Sequence, residues 1–452
     1  MSLKPQQFYN ATNPAKTLDI SKQEDKSYYV DFSAVRGGEL IAELKDKITW
    51  SEDFTCHLFT GHIGCGKSTE LYRLKSELEA ENYHVIYFEA TDDLDMGNVE
   101  VSDILLAIAR RTAQELETLM KQAESGWQGV MQKAKNLLFT EIKLDVKTGE
   151  IPGVGKFELG VDFDNNVNVG LSTIIGEIKA QSRKNANLQD RLRNYLEPKT
   201  DGFLDVLNNG LFIPINDTLK ANGKNGLVII IDGLDKLINT EKSPGKTLPA
   251  YLFGDRGDQL SRLACHVVYT MPLALCYSDE YTVIRQKFKN DPIILPMIRV
   301  KNRDGEVDQT GINLLYLMVL SRAFSQLSEA EKLTKIGEIF DGEEPLKQLC
   351  EVSGGHVRNL LIILNSWIIK EKKFPLSSAG LEAVVVNQVA GQTAQLTPDE
   401  WELLNRVHQT KDSSGDRDFS KLIRTLLVYE YRDEKGAWYE VNPILFRTEK
   451  IQ

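Results

Sequence analysis

Residues 61 to 68 read Gly61-His62-Ile63-Gly64-Cys65-Gly66-Lys67-Ser68, with glycines at the first, fourth and sixth places, then a lysine and a hydroxyl. A glycine-rich backbone can turn its N–H groups inward around phosphate oxygens, and a helix starting near Lys67 adds the positive end of its dipole. Lys67 then reaches the terminal phosphates, Ser68 offers a ligand to Mg²⁺, and Thr69 follows in the same turn. The chemistry implied is the binding of a nucleoside triphosphate. Cys65, inside the loop, is either a thiol activated by the helix N-terminus or a small filler.

A second pattern supplies a carboxylate. Leu227-Val228-Ile229-Ile230-Ile231 is uniformly apolar and ends on Asp232, as a buried strand does when it delivers one acid to the edge where a metal-bound triphosphate sits. Gly233 stands where a glutamate would serve as water-activating base; the next acid is Asp235, followed by Lys236. Asp235 reads either as a water-polarising group or as a solvated turn acid. Glu89, closing another apolar run, is the rival base.

These groups need a scaffold that holds them together. CHLFTG before the glycine loop and HVIYFEATDD after the following helical stretch read as strands. Leu40, Ile41, Leu44 and Ile48 fall at helical spacing just upstream. Strand, glycine loop, helix, strand opens a parallel α/β sheet. CHVVYTMP and PIILPMIRV are too uniformly apolar for a one-sided sheet and read as further buried strands. Helical spacing covers 101–138, 174–220 and 303–370. Between the first two, Ile142, Leu144 and Val146 alternate with Lys143, Asp145 and Lys147, which predicts strands over 139–170. The expected organisation is a loosely ordered lead-in at 1–27 and an α/β core at 28–303 with a β insertion at 139–170. A helical lid follows at 304–390, then a helix-helix-wing domain at 391–452 with its wing turning at Asp433 to Gly436.

Taken together, the glycine loop, the apolar strand ending in Asp232-Gly233-Leu234-Asp235, and Ser353-Gly354-Gly355-His356-Val357-Arg358-Asn359-Leu360 downstream resemble a P-loop ATPase of the AAA+ or STAND type. The resemblance implies an ASCE-type parallel-sheet P-loop NTPase domain, a helical lid and a C-terminal winged helix. ATP and Mg²⁺ would be the cofactors and ATP hydrolysis the reaction. It implies that Arg358 senses the γ-phosphate from the lid and that Thr270, on the CHVVYTMP strand, lies near the same phosphate; the plain alternative for Arg358 is a surface arginine at a helix start. It implies a homo-oligomer in the ATP state, with Arg285 or Arg256 as the position of an arginine finger, and an effector or sensor on another chain. The absent glutamate after Asp232 and the insertion depart from the AAA+ pattern and bear on the hydrolysis rate. A winged helix serves DNA binding in some relatives and packs on the nucleotide domain in others. From 395 to 452 there are nine Lys/Arg against eleven Asp/Glu, with Lys421 and Arg424 on the second helix, which gives DNA weak support. The readings left open are a nucleotide switch, a DNA-associated helper ATPase, and a nucleotide-stabilised interaction module that hydrolyses little.

Composition narrows the rest. The 452 residues are 42% apolar and 26% charged, as in ordinary globular chains, and long enough for two or three domains. The net charge of −11 argues against a surface built throughout to neutralise nucleic-acid phosphates. No apolar run reaches the roughly 18 to 20 residues of a membrane span, and the first residues lack the pattern of a secretory signal, so a cytoplasmic location is expected. Five cysteines without C-x-x-C spacing suggest neither a disulfide framework nor a zinc site.

Overall fold

The computed structural model describes residues 3–121, 127–145, 148–159, 170–394, 396–413, 415 and 418–451. Five parallel strands form the central sheet: β1 (Cys56–Gly61), β2 (Tyr83–Glu89), β3 (Gly226–Asp232), β4 (His266–Pro272) and β5 (Ile293–Leu295), in the order β2-β3-β4-β1-β5. β4 thus separates β1, which enters the glycine loop, from β3, which ends on Asp232. The register sets Glu89 beside Asp232 and Gly61 beside Pro272, so the carboxyl ends share one edge.

Both faces of the sheet are covered, which is why its strands read as unbroken apolar runs. Val85, Val228, Ile230 and Val268 pack with the helices Leu40–Thr49 and Lys67–Ala80. The alternate residues Ile86, Phe88, Ile229, Ile231, Val267 and Tyr269 pack with the helices that connect β2 to β3. Those helices are Val101–Lys121, Trp127–Glu141, Leu171–Lys184, Ala186–Leu196, Thr200–Leu207 and Ile213–Ala221.

Two expectations are corrected here. Within 139–170, where strands were expected throughout, the helix continues to Glu141, and the paired strands among the described residues are Glu150–Ile151 and Gly155–Lys156. Ile142 and Leu144 are buried because they fold into the helical core, a burial that mimics strand alternation over so short a stretch. Residues 146–147 and 160–169 lie outside the described residues. The lead-in is not loosely ordered either. Pro5–Ala11 and Gln23–Lys26 are helical, Phe8 is fully buried in the second core, and Thr12 Oγ1 donates to Asn365 Oδ1 at 2.6 Å. Helices this short are not stable by themselves; docking onto the downstream helices orders them.

That second core joins the helices Gln309–Ala323, Glu343–Ser353, Val357–Glu371 and Ser378–Thr393 to the C-terminal segment. The tail consists of helices Pro398–Thr410 and Phe419–Arg424 and an antiparallel hairpin, β6 (Val428–Asp433) with β7 (Gly436–Val441). Trp438 is buried and stacks on Tyr431 with centroids 4.7 Å apart, so it belongs to the core. No helix of the described residues is long and apolar enough to cross a membrane.

Candidate functional site

The glycine loop runs from the end of β1 into the helix that begins at Lys67. Lys67 is folded into the loop it follows: its Nζ donates to the carbonyls of Gly61 at 2.8 Å and His62 at 2.9 Å, and pairs with Asp235 at 2.8 Å. Burial works against the ammonium charge, but the facing Asp235 carboxylate, together with Cys65 and Asp232, more than offsets it and holds the lysine pKa above its ordinary value. The other Asp235 oxygen, Oδ1, is buried with no hydrogen-bond partner among the described residues.

Asp232 is buried at the end of β3, where it accepts hydrogen bonds from the Tyr87 hydroxyl at 2.8 Å and the Gly233 N–H at 2.6 Å. Burial, and then repulsion from Asp235, raises its pKa, while hydrogen bonds from Ser68 and Tyr87 pull the other way. The Ser68 hydroxyl and the Asp232 carboxylate therefore meet across two strands. One hydroxyl and one carboxylate, completed by phosphate oxygens and water, is a donor set that suits Mg²⁺. Among the described residues no cluster of three His, Cys, Asp or Glu forms an all-protein cage. Glu89 lies beside Asp232 but its Oε2 is taken by Lys236 Nζ at 3.0 Å and the Thr91 hydroxyl at 3.2 Å. Thr270 accepts from the Leu234 N–H at 3.0 Å and does not line the cleft.

The cleft above the loop takes in about 920 Å³ of space, open solvent at its mouth included. Its described walls carry six cations, Lys16, Arg36, Lys67, Lys236, Arg322 and Arg358, against two acids, Glu70 and Asp235. Two of those cations escape sequence reasoning. Arg36 is buried; one guanidinium nitrogen donates to the Cys65 carbonyl at 2.5 Å, while Nε and Nη1 have no partner among the described residues. Arg322 is likewise buried with an unpartnered Nε. The only sequence signal for Arg36 is the Gly37-Gly38 that follows it; Arg322 has none. Residues of the lead-in, Pro14 to Leu18, also form part of the wall.

The lid and the tail both reach the loop. Arg358 is the second residue of the helix Val357–Glu371; its backbone N–H donates to the Gly64 carbonyl at 3.2 Å and its exposed side chain lines the cleft. His356 caps that helix through Nδ1, which accepts from the Asn359 N–H, and its Nε2 donates to the Ile63 carbonyl at 2.9 Å. Burial lowers the His356 pKa to about 4, so the ring is neutral and makes both bonds. Gly64 sits at φ +90°, and a Cβ there would stand 2.7 Å from His356 and 2.8 Å from Arg358, so only glycine lets the lid approach. From the tail, the Glu430 N–H donates to His62 Nε2, and Tyr429 stacks edgewise on His62 and tilted on His356.

The remaining candidates are Cys65, within the loop, and four basic residues away from the cleft. Cys65 is fully buried with its thiol toward the Leu295 carbonyl, the arrangement of a filler. Arg256 pairs with Glu197 at 2.7 Å inside the helical layer, and Arg285, half exposed before β5, pairs with Asp291. On the tail, Lys421 pairs with Glu400 at 2.8 Å and Arg424 is exposed.

No family model and no curated protein sequence matches this chain. Among solved structures it is similar to a Walker-type ATPase of Pyrococcus abyssi, with TM-score 0.42 and 9% identity over 97% of this chain and 99% of that one. It is similar also to Cdc6p of Pyrobaculum aerophilum, with TM-score 0.37 and 10% identity over 98% of each chain. A third is the Orc1 protein of Aeropyrum pernix in complex with DNA, with TM-score 0.36 and 12% identity over 96% of this chain and 93% of that one. TM-scores and identities this low carry no conclusion about what this chain does.

Proposed function

We propose that the chain binds Mg²⁺-ATP and hydrolyses it to ADP and phosphate, as a switch of the AAA+ or STAND kind whose nucleotide state controls assembly or partner binding. One observation carries the reading: in a chain of net charge −11, a cleft over a glycine loop gathers six cations against two acids, and the buried Arg36 has two nitrogens without partners among the described residues. A buried guanidinium short of acceptors is costly, and a polyphosphate supplies them.

In this reading the backbone of Gly61 to Thr69 cradles the phosphates, and Lys67 exchanges the Asp235 carboxylate for a phosphate oxygen of the same charge. The exchange frees Asp235, already short of one hydrogen-bond partner, to orient a water at the γ-phosphate; Glu89 is the alternative acceptor. Ser68 and Asp232 would hold Mg²⁺, which when bound neutralises charge developing on the phosphates. Arg36 adds a phosphate contact, and Arg358 reaches the γ-phosphate from the lid. Thr270 acts indirectly, by fixing the turn that carries Asp235 through its bond from Leu234.

Because lid and tail touch Ile63, Gly64 and His62, a loop rearranged by phosphate alters both contacts, and this supports a switch in which the tail packs on the nucleotide domain. Calorimetric titration with ATP and with ADP, each with Mg²⁺, tests the reading together with phosphate release and light scattering. Arg358→Ala should weaken ATP by about 1.5–3 kcal/mol, leave ADP nearly unchanged, and erase any ATP-dependent assembly. A wild-type chain that binds neither nucleotide, or an Arg358→Ala chain that loses both equally, would overturn it.

A further inference from the structure

We infer that the helical layer connecting β2 to β3 carries an anion site of its own, in the groove between the helices Val101–Lys121 and Leu171–Lys184, and that it takes the phosphate group of a small polar molecule through Lys179, Arg183 and Arg110. The groove shares no wall residue with the cleft over the glycine loop, so the inference stands independently of the nucleotide reading.

The two helices face each other with polar strips. Leu171–Lys184 turns Leu171, Ile174, Ile175 and Ile178 into the core, which leaves Gly176, Lys179 and Arg183 at helical spacing along the groove. Opposite them the helix Val101–Lys121 presents Arg110, Gln114 and Thr118, each four residues from the last. Gly176 lets Arg110 lie close across the facing helix: a Cβ there would stand 3.2 Å from Arg110 Nε. Of the described wall residues only Gly176 and Ala180 lack a polar side chain, so the groove offers nothing to an aromatic ring or an acyl chain.

The acids of the groove are already engaged, and two of its cations are not. Asp93, with 1% of its side chain exposed, is held by Arg110 Nη1 at 2.5 Å and by Arg111 Nε at 2.6 Å. Glu117 accepts from the Ser172 N–H at 3.0 Å and from its hydroxyl at 2.5 Å, and Glu177 meets Gln181 at 3.5 Å. Lys179 comes third to Asp93: its side chain is 11% exposed, and its Nζ stands 4.0 Å from Oδ1 and has no hydrogen-bond partner among the described residues. Arg183, one turn further on and exposed, makes a long bond to the Asp92 carbonyl at 3.4 Å. Burial lowers the Lys179 pKa to about 8; the fields of Asp93 and Asp103 oppose this, and repulsion from Arg183 and Arg110 adds to it. At neutral pH the amine is still mostly charged. A covered ammonium without an acceptor is costly, and three cations that repel one another along an open groove call for a shared anion. A phosphate dianion can accept from all three at once, whereas a carboxylate brings two oxygens and a single charge. Nζ is screened from water, so binding draws the flexible lysine stem toward the groove.

The test is calorimetry on the full chain at fixed ionic strength, with inorganic phosphate, glycerol 3-phosphate and acetate as probes. The chains are K67A, which removes the lysine of the glycine loop, and K67A combined with K179M or with R183M. K67A should bind both phosphates and hold acetate roughly tenfold or more weakly, and each added substitution should cost phosphate affinity by a similar factor. Urea denaturation of K179M without phosphate tells a ligand group from a structural one. Exchanging a covered, unbonded charge for an apolar stem of similar length should leave stability unchanged or raised. If K67A does not fold, the same probes on wild type and on R183M, whose side chain is exposed, carry the test through the difference in phosphate affinity. A K67A chain that binds no phosphate, or binds acetate as tightly, overturns the proposal. So does phosphate affinity unchanged by the Lys179 and Arg183 substitutions. A K179M chain that is destabilised without phosphate makes Lys179 a counter-ion of Asp93 and overturns it as well.

Discussion

The imidazole of His62 accepts a hydrogen bond from the backbone N–H of Glu430 at 2.9 Å, joining the second residue of the glycine loop to the tail hairpin across 368 positions of sequence. The Glu430 side chain on the same residue is fully buried; its Oε2 accepts from the Tyr277 hydroxyl, and its Oε1 has no partner among the described residues. The glycine loop and a carboxyl group that resists ionisation thus share one contact.

This contact should make tail docking sensitive to pH. Burial raises the Glu430 pKa to about 7, against the opposing pull of the Tyr277 bond and of Arg432. Below the unfolded-state value near 4.5 both states hold the proton, and the full stability is present. As pH rises toward 7 only the native state keeps it, so stability is lost through that window and levels off above it, by an amount of order 3 kcal/mol at most. Burial of His356 acts oppositely, costing stability as pH falls below about 6.5, so the useful quantity is a difference. Urea denaturation of wild type and Glu430→Gln from pH 5 to 8 should show the variant losing less stability with rising pH. Parallel curves would show that Glu430 does not titrate there.

Lys67 and Asp232 should fail in different ways. Lys67→Ala removes the charge that cancels phosphate repulsion and strands Asp235 without its counter-ion, so nucleotide binding should be abolished. Asp232→Asn should keep appreciable affinity and lose most turnover, because it misplaces the metal and not the phosphates. Binding and steady-state hydrolysis measured on both variants check this; unimpaired ATP affinity in Lys67→Ala, or turnover retained by Asp232→Asn, contradicts it.

The water-orienting role separates Asp235 from Glu89. Asp235 lines the cleft, whereas Glu89 is held by Lys236 and Thr91 outside its walls. Hydrolysis at saturating ATP should fall by about 10²-fold or more in Asp235→Ala and much less in Glu89→Ala. The reverse order would move the role to Glu89, and near-normal rates in both would exclude the pair.

Gly355 should tolerate no side chain. It has φ +73°, and a Cβ would stand 1.9 Å from the Ile298 carbonyl oxygen, a backbone atom that cannot swing away. Gly355→Ala should cost more than about 2 kcal/mol and displace the lid end that carries His356 and Arg358. A melting temperature within a degree or two of wild type would refute this.

The glycine loop, the β3 carboxylate and the helix-helix-wing tail were legible in the sequence because each is written locally. Glycine spacing, a five-residue apolar run before Asp232, and a turn at Asp433 to Gly436 are short-range consequences of backbone geometry and of a sheet buried on both faces. The start of the 139–170 region was misread because a few buried residues at an irregular helix end alternate as a strand does; the short antiparallel pair Glu150–Ile151 with Gly155–Lys156 does lie within it. The lead-in was misread because its order comes from Phe8 and Thr12 docking on helices some 350 residues away. Likewise, nothing local distinguishes Arg36 or Arg322 from a solvated arginine, or the His62 imidazole from any loop side chain. Their burial, and the bond from Glu430, exist only once distant segments meet, since desolvation and long-range hydrogen bonding are properties of the assembled fold and not of neighbours in the chain.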